Sequence, residues 1–365
     1  MLVTIQFFFS IGLIIGTVVI YHQIHYIKNR NLGYNKNNLL MVPVTGDIQQ
    51  NYAAIKRDLL TRSLATAVSA SSSPLTGIRA WSKPEWEGQN EDQQVFFGII
   101  GIQHDYLEVL GPEMIHGRDF SPLFNDSASV ILNKAALDFM GLAAPIGTQI
   151  RLGGKDYTVV GVYDDMIMGM PYQSASRTLF LFDPDWMNYL FIRLPETENI
   201  KPVMSSIEAV FQKYNPAFPF SFSFVDQEFN RKYAAEELIG RLANLFAILA
   251  VGISCLGLFG LTAYTAERRT KEVGIRRVFG ASIMNVLSLF SSDFTKLILI
   301  AFLLAAPVTW WLLQQWLQEY TYRITMELWM VLSGGIMALL LTWVIVGIQV
   351  FRATAVNPSA SLRSE

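Results

Sequence analysis

Apolar and polar positions divide the chain into two textures. Four runs, 2–21, 242–264, 297–317 and 328–351, carry no charged side chain. A spanning helix needs about 20 apolar residues, so the pattern predicts four transmembrane helices. The first run is too long for a signal-peptide core. It also lacks a basic start and a small-residue cleavage site, so it reads as a retained helix. Between the first and second runs the pattern shortens. Strands are predicted at 39–44, 95–102, 129–132, 149–152, 157–162, 178–182, 190–194 and 219–225, and helices at 48–60, 134–140 and 200–214. Tyr52, Ile55, Leu59 and Leu60 share one helical face. Gly153-Gly154 is a hairpin signal. Stretches 69–77 and 164–176 read as loops or mobile edges. The elements follow no βαβ rhythm. The expected fold class is a multi-span α-helical membrane protein with a large α+β extracytoplasmic domain inserted between helices 1 and 2.

One longer element is predicted. Asp226 can cap a helix, and no proline follows before 266. A continuous rod of roughly 40 residues would be about 60 Å long, twice the hydrocarbon core. Its excess would form a stalk, with Glu236, Glu237 and Arg241 near the outer surface. The expected segments are helix 1–21, domain 22–237 ending in that stalk, helix 238–266, cytoplasmic segment 267–283, helix 284–317, outer loop 318–327, helix 328–351 and tail 352–365.

Composition agrees with a membrane protein. Of 365 residues 52% are hydrophobic and 16% charged, against about 25% charged in an average globular chain. A net charge of −2 argues against a nucleic-acid partner. Cys255 is the single cysteine, so no intrachain disulfide can form and the compartment is not revealed. Charge placement is more informative. Segment 267–282 holds Arg268, Arg269, Lys271, Arg276 and Arg277 against Glu267 and Glu272, which marks a cytoplasmic loop. Lys28 and Arg30 oppose this orientation, but a domain of about 215 residues follows them, and long domains translocate largely regardless of charge. The segment is also patterned. Thr270 can cap a helix and Glu272 suits its first turn. Ile275, Val278 and Phe279 make an apolar stripe, Gly280 can end the helix and Ser282 can cap the next. Two readings stand: a docking surface, or a loop that only fixes topology.

The run Glu-Arg-Arg-Thr-Lys-Glu-Val-Gly-Ile-Arg-Arg-Val-Phe-Gly-Ala-Ser at 267–282 resembles the segment after the second membrane helix of FtsX-like permeases, the MacB type of ABC transporter subunit. Leu-Gly-Pro-Glu-Met-Ile-His-Gly-Arg-Asp-Phe-Ser at 110–121 resembles that family's periplasmic core motif. So do Val-Ile-Leu-Asn at 130–133, Pro-Ile-Gly at 145–147, Tyr-Thr-Val-Val-Gly-Val at 157–162, and the terminal Asn-Pro…Ser-Leu-Arg at 357–363. The resemblance implies a two-subdomain periplasmic domain and a multi-pass place in the bacterial inner (cytoplasmic) membrane. It implies ATP bound by a partner ABC ATPase subunit, with no cofactor in this chain. Glu267, Arg268, Arg269, Thr270, Lys271, Glu272, Ile275, Arg276 and Arg277 would contact that ATPase. It implies a second permease unit, either a homodimer or the other half of a duplicated permease, and a periplasmic adaptor as an optional partner. No basic residue precedes the first helix, so the chain reads as one half of a longer permease or as following a truncated start. The expected function is to transmit ATP-driven motion across the membrane for efflux or extraction of peptides, amphiphilic drugs or lipoproteins. The rivals are a non-transporting FtsX-like activator of a periplasmic partner, a peptide-sensing signal transducer and a membrane-anchored enzyme.

Catalytic and metal constellations are absent from the sequence. There is no Gly-x-x-x-x-Gly-Lys-[Ser/Thr], no His-Glu-x-x-His and no Gly-x-Ser-x-Gly. The chain is expected not to be an enzyme. His22 and His25 share a helical face and read as an interfacial pair. His104 and His116 have no sequence partners. Asp293 and Lys296 are expected to pair or reach toward the interface, with a proton relay as the alternative. Pro307 is expected to kink its helix. Trp310, Trp311, Trp316, Tyr320 and Tyr322 suit an aromatic belt. Gly12 and Gly16 permit close helix contact. Arg118 and Asp119 read as a local pair, and Gly117, Gly147 and Gly161 as turn or packing glycines.

Overall fold

The computed structural model of the protein describes residues 2–89, 95–197, 199–268 and 283–355. They form two compact units. One is helical and contains the residues through Lys28 and from Ala235 onward; the other is Asn29–Ala234.

The helical unit is built from α1 (Leu2–Lys28), α7 (Ala234–Arg268), α8 (Ile283–Gln318) and α9 (Leu328–Ala355). All four contain stretches long and apolar enough to cross a membrane. Phe7, Ile11, Ile15 and Val19 recur every four residues on α1 and are buried against Phe294, Ile298, Ala301 and Ala305 of α8 and Met330, Val331 and Ala338 of α9. Small residues set the spacing. A Cβ on Gly334 would lie 2.5 Å from Ile15 Cγ1, and one on Gly335 would lie 2.7 Å from the Phe302 ring. Gly12 faces Thr309, whereas Gly16 has open space beside it, so within this chain only Gly12 of the Gly-x-x-x-Gly spacing makes a close contact. Helix α7 meets α1 along a narrow seam. Ser10 and Ser254 hydroxyls lie 2.9 Å apart, Gly257 faces Gln6, Gly240 faces Ile24, and Lys28 pairs with Glu237. Small and hydroxyl residues at a helix seam are the usual substitute for hydrophobic drive in lipid. Gln23, 1% exposed, clamps the α8–α9 turn by donating to Tyr322 O and accepting from Ile324 N.

The inserted domain carries one path of strands in the order β12-β1-β11-β2-β5-β10-β7-β9-β8-β4, with β3 on β5 and β6 on β9. The strands are β1 (Leu39–Pro43), β2 (Ala67–Ser71), β3 (Ala80–Ser82), β4 (Glu85–Trp86), β5 (Phe97–Ile102), β6 (Met114–Gly117), β7 (Ser129–Asn133), β8 (Gln149–Leu152), β9 (Lys155–Tyr163), β10 (Thr178–Phe182), β11 (Tyr189–Arg193) and β12 (Ser223–Phe224). The path narrows between β2 and β5, where only Ser71 and Ile102 pair. A separate core lies on each side. The first joins β1, β2 and β11 to α2 (Tyr52–Thr61) and α5 (Ile200–Tyr214) through Leu40, Ile55, Leu59, Leu190, Ile207 and Phe211. The second joins β5, β7, β9 and β10 to α4 (Lys134–Met140) through Phe97, Ile99, Val130, Leu132, Ala136 and Val159. The β8–β9 hairpin turns at Gly153 and Gly154, both at positive φ, as a two-residue primed turn requires.

The structure corrects several expectations. The rod from Asp226 is not continuous: α6 (Val225–Arg231) ends at Lys232 and α7 begins at Ala234. Phe224 occupies the N-cap position of α6, and Asp226 lies in its first turn. Stretch 69–77 is not all loop, since Ser69–Ser71 complete β2 and are buried. That strand carries small and hydroxyl residues, so its pattern is weak. Helix α3 (Tyr106–Leu110) and strands β3, β4 and β6 are additional elements, while the strand expected at 219–225 shrinks to Ser223–Phe224.

Candidate functional site

The sequence motifs of the inserted domain meet in space. Gly117 and Gly161 pair across β6 and β9. A Cβ on Gly117 would lie 2.2 Å from Val160 O, and one on Gly161 would lie 2.3 Å from Arg118 O, so both positions admit only glycine. The Arg118 guanidinium donates to the Asp119 main-chain carbonyl at 2.9 Å but does not pair with the Asp119 carboxylate. It grips the fully buried Asp126 carboxylate with two donors at 2.7 and 3.1 Å and lies 4.0 Å over the Phe124 ring. Burial opposes ionisation of Asp126, but the guanidinium and the Ser121 N–H outweigh it and hold the carboxyl below its usual range. Asp119 is pushed up to about 6 by burial. Asn133 caps α4 by accepting from Ala136 N. It also accepts from Thr178 N and donates to Asp165 Oδ1 and Ser176 O. These motif residues hold elements together and form no reactive cluster.

Asn133 leads to the segment 164–177. It has no regular secondary structure, yet Met166, Ile167 and Met168 are buried. Both ends of the domain's chain are fastened to it. On the incoming side, Arg30 donates to Pro171 O at 2.8 Å and Gln173 O at 2.5 Å, and Ile167 N donates to Leu32 O at 2.8 Å. Gly33 has φ +75°, and a Cβ there would lie 1.9 Å from Asp165 O. On the outgoing side, Lys232 donates to Gly169 O and Thr76 O. Burial pushes the Lys232 ammonium down to about 8. The next residue, Tyr233, is 1% exposed. Tyr34 is also buried, and burial with the neighbouring Tyr106 and Tyr233 drives its phenol upward. Arg193 donates to the carbonyls of Asn35, Asn37 and Val109. Cations held by main-chain carbonyls fix backbone position. This grip also explains the broken rod: Lys232 and Tyr233 are turned into the domain where α6 stops.

Glu267 and Arg268 lie exposed in the last turn of α7, with the Arg268 guanidinium 5.3 Å over Tyr264. A cation there complements the helix C-terminus. Arg269, Thr270, Lys271, Glu272, Ile275, Arg276 and Arg277 lie outside the described residues. His22 packs edge-on to Trp329 and His25 stacks on Tyr21. His104 stacks 4.2 Å from Phe182, and burial lowers its pKa. Among the described residues no three His, Cys, Asp or Glu side chains converge as a metal site. Sequence reasoning missed Arg30, Lys232, Gln23 and Arg193 as structural cations and amides; their carbonyl partners are distant in sequence and leave no spacing signal.

Residues 7–210 match the MacB-like periplasmic core domain, and residues 244–358 match the FtsX-like permease C-terminal domain. A macrolide export ATP-binding/permease protein, MacB, of Chromobacterium violaceum is 23% identical over 207 residues, covering 53% of this chain and 32% of that protein. A probable syringafactin export ATP-binding/permease protein of Pseudomonas syringae pv. syringae is 22% identical over 200 residues, covering 50% of this chain and 30% of that protein. A pyoverdine export ATP-binding/permease protein of Pseudomonas syringae pv. tomato is 25% identical over 162 residues, covering 41% and 24%. The chain thus spans about a third or less of the length of these curated relatives. The periplasmic region of MacB from Actinobacillus actinomycetemcomitans aligns with a TM-score of 0.40 and 14% identity, covering 56% of this chain and 96% of that structure. With four candidate membrane helices and a periplasmic-type domain between the first and second, the chain belongs to the MacB-type, FtsX-like family of ABC transporter permeases.

Proposed function

We propose that this chain is the permease part of an exporter in the bacterial inner membrane, driven by an ABC ATPase bound on the cytoplasmic side. The observation that carries the reading is the order of parts: a MacB-like core domain set between spans one and two, followed by an FtsX-like C-terminal region. Glu267, Arg268, Arg269, Thr270, Lys271, Glu272, Ile275, Arg276 and Arg277 dock the ATPase. A second permease unit completes the assembly. Closure of the cytoplasmic ends of the spans is carried by α1 and α7 to the inserted domain. The hold of residues 164–177 on both chain ends supports this route, because a displacement of either end loads the same loop. Relatives named for macrolide, syringafactin and pyoverdine export support an exported cargo of peptide or amphiphile class.

The test is co-purification of the detergent-solubilised chain with its candidate ATPase, comparing wild type with Arg276→Glu/Arg277→Glu. Binding by the wild type and its loss in the folded double variant are expected. Equal binding by both forms would leave the segment a topological signal only, and binding by neither would favour a sensor that works without an ATPase.

A further inference from the structure

Helices α1 and α7 enclose a groove of about 660 Å³ beside their Lys28–Glu237 pair. Its wall is mixed in a particular order. Thr17, Val18 and Ile24 of α1 and Gly240 of α7 supply the apolar part, and His22, His25, Lys28, Arg241 and Asn244 supply the polar part, with Glu237 as the lone carboxylate. Thr17 lies 11 residues before Lys28 on one helix, so the groove runs about 16 Å along the axis at 1.5 Å per residue. Gly240 opens it by leaving the space a side chain would fill against Ile24.

Aromatic residues mark its depth. Tyr21 stacks on His25, His22 meets Trp329, and Tyr26 stacks on Tyr322 at 4.5 Å. Rings of this kind gather at the headgroup level of a bilayer. The polar part of the groove therefore lies among headgroups, while Val18 and Thr17 continue toward hydrocarbon depth. The charge balance within the groove is two full cations, Lys28 and Arg241, against Glu237, and Arg241 sits 3.6 Å from that carboxylate with 81% of its side chain exposed. An occupant must carry an anionic oxygen-rich head and an apolar tail, and must be at hand at that depth.

We propose that this groove binds one anionic glycerophospholipid. Its phosphate lies against Arg241 and Lys28, Asn244 and the two histidines offer further polar contacts, and an acyl chain follows Val18 and Ile24. The bound lipid fills the α1–α7 seam at its open end and stiffens the pair of helices that bracket the inserted domain in sequence. The proposal is independent of the exporter reading.

The full-length protein in nanodiscs tests it. Native mass spectrometry counts lipids retained after release, with phosphatidylglycerol in a phosphatidylcholine background and with phosphatidylcholine alone. Wild type is expected to retain one phosphatidylglycerol. Arg241→Glu should weaken retention about fivefold or more, given the contribution of a single basic residue near a lipid surface. Arg323→Glu, an exposed cation outside the groove on the α8–α9 turn, should retain lipid as wild type does. Lys28→Gln serves as a second groove variant. Equal loss in the Arg241 and Arg323 variants would reduce the effect to general surface charge and overturn the site. Displacement of the lipid by millimolar inorganic phosphate would make it a free-phosphate site and overturn the lipid assignment. Absence of phosphatidylglycerol preference in wild type would also overturn it.

Discussion

Asp119 and Asp126 stand on neighbouring stretches of the inserted domain and respond to their surroundings in opposite directions. Burial raises Asp119 to about 6, whereas Arg118 holds Asp126 below the usual carboxylate range despite its burial. The folded form of Asp119 binds its proton more tightly than the unfolded chain does. Its stabilising effect is present below the unfolded value near 3.9 and is lost as pH rises through about 6. Asp126 works the other way: its contribution is present above about pH 4 and is lost as pH falls below that. The two windows do not overlap. Stability of the domain against thermal unfolding should therefore fall between pH 4 and 6 in wild type, by about 1–2 kcal/mol after allowance for partial solvent screening. Asp119→Asn should flatten that slope and leave the loss below pH 4 intact. A slope that persists in Asp119→Asn would place its origin on another group.

At the scale of elements, legibility followed local pattern. Strands β7, β8 and β10 and helices α4 and α5 stand at the positions expected from the sequence, and Asn133 and Asn199 prove to cap the two helices. Strand β2 escaped because Ala, Ser and Ala carry little β-signal, although Ser69 Oγ donates to His104 O and Ser71 Oγ to Ser73 O to satisfy the buried hydroxyls. The α6–α7 break escaped for a related reason. No glycine or proline marks 232–233, and the interruption comes from the partners of Lys232 and the burial of Tyr233, which are tertiary facts. The candidate site was legible only in its motifs. Gly117, Gly161 and Asn133 were in view as residues, but the loop 164–177 read as an edge. The α1–α7 seam offers a direct check. Ser10 and Ser254 hydroxyls are 2.9 Å apart, close enough for a bridge after modest rotation. With Cys255→Ser removing the native thiol, Ser10→Cys/Ser254→Cys should cross-link on mild oxidation and shift in non-reducing electrophoresis. A pair that stays reduced while the protein remains folded would mean that the seam is not formed at this register.

On the scale of the whole molecule, chain continuity makes residues 164–177 the common anchor of two membrane helices. Helix α1 runs into the segment that Arg30, Leu32 and Gly33 fasten to this loop, and α7 follows at once on Lys232, which is fastened to Gly169 in the same loop. Under the proposed mechanism, a pull on either helix loads these bonds. Hydrogen bonds to charged groups contribute about 1.5–3 kcal/mol each, so removing the Arg30 and Lys232 cations should weaken the hold on this loop while leaving the two cores intact. On the exporter reading proposed above, ATP should change amide exchange across 164–177 in the complex with the ATPase. Arg30→Gln/Lys232→Met should raise exchange there in the absence of ATP and abolish the ATP-dependent change, while ATPase binding persists, since the proposed docking segment 267–277 is unaltered. Hydrogen exchange by mass spectrometry reads both effects on one sample. If ATP leaves exchange at 164–177 unchanged in a wild-type complex that is still exporting, force travels to the inserted domain by another route, and the carbonyl grip is architectural only.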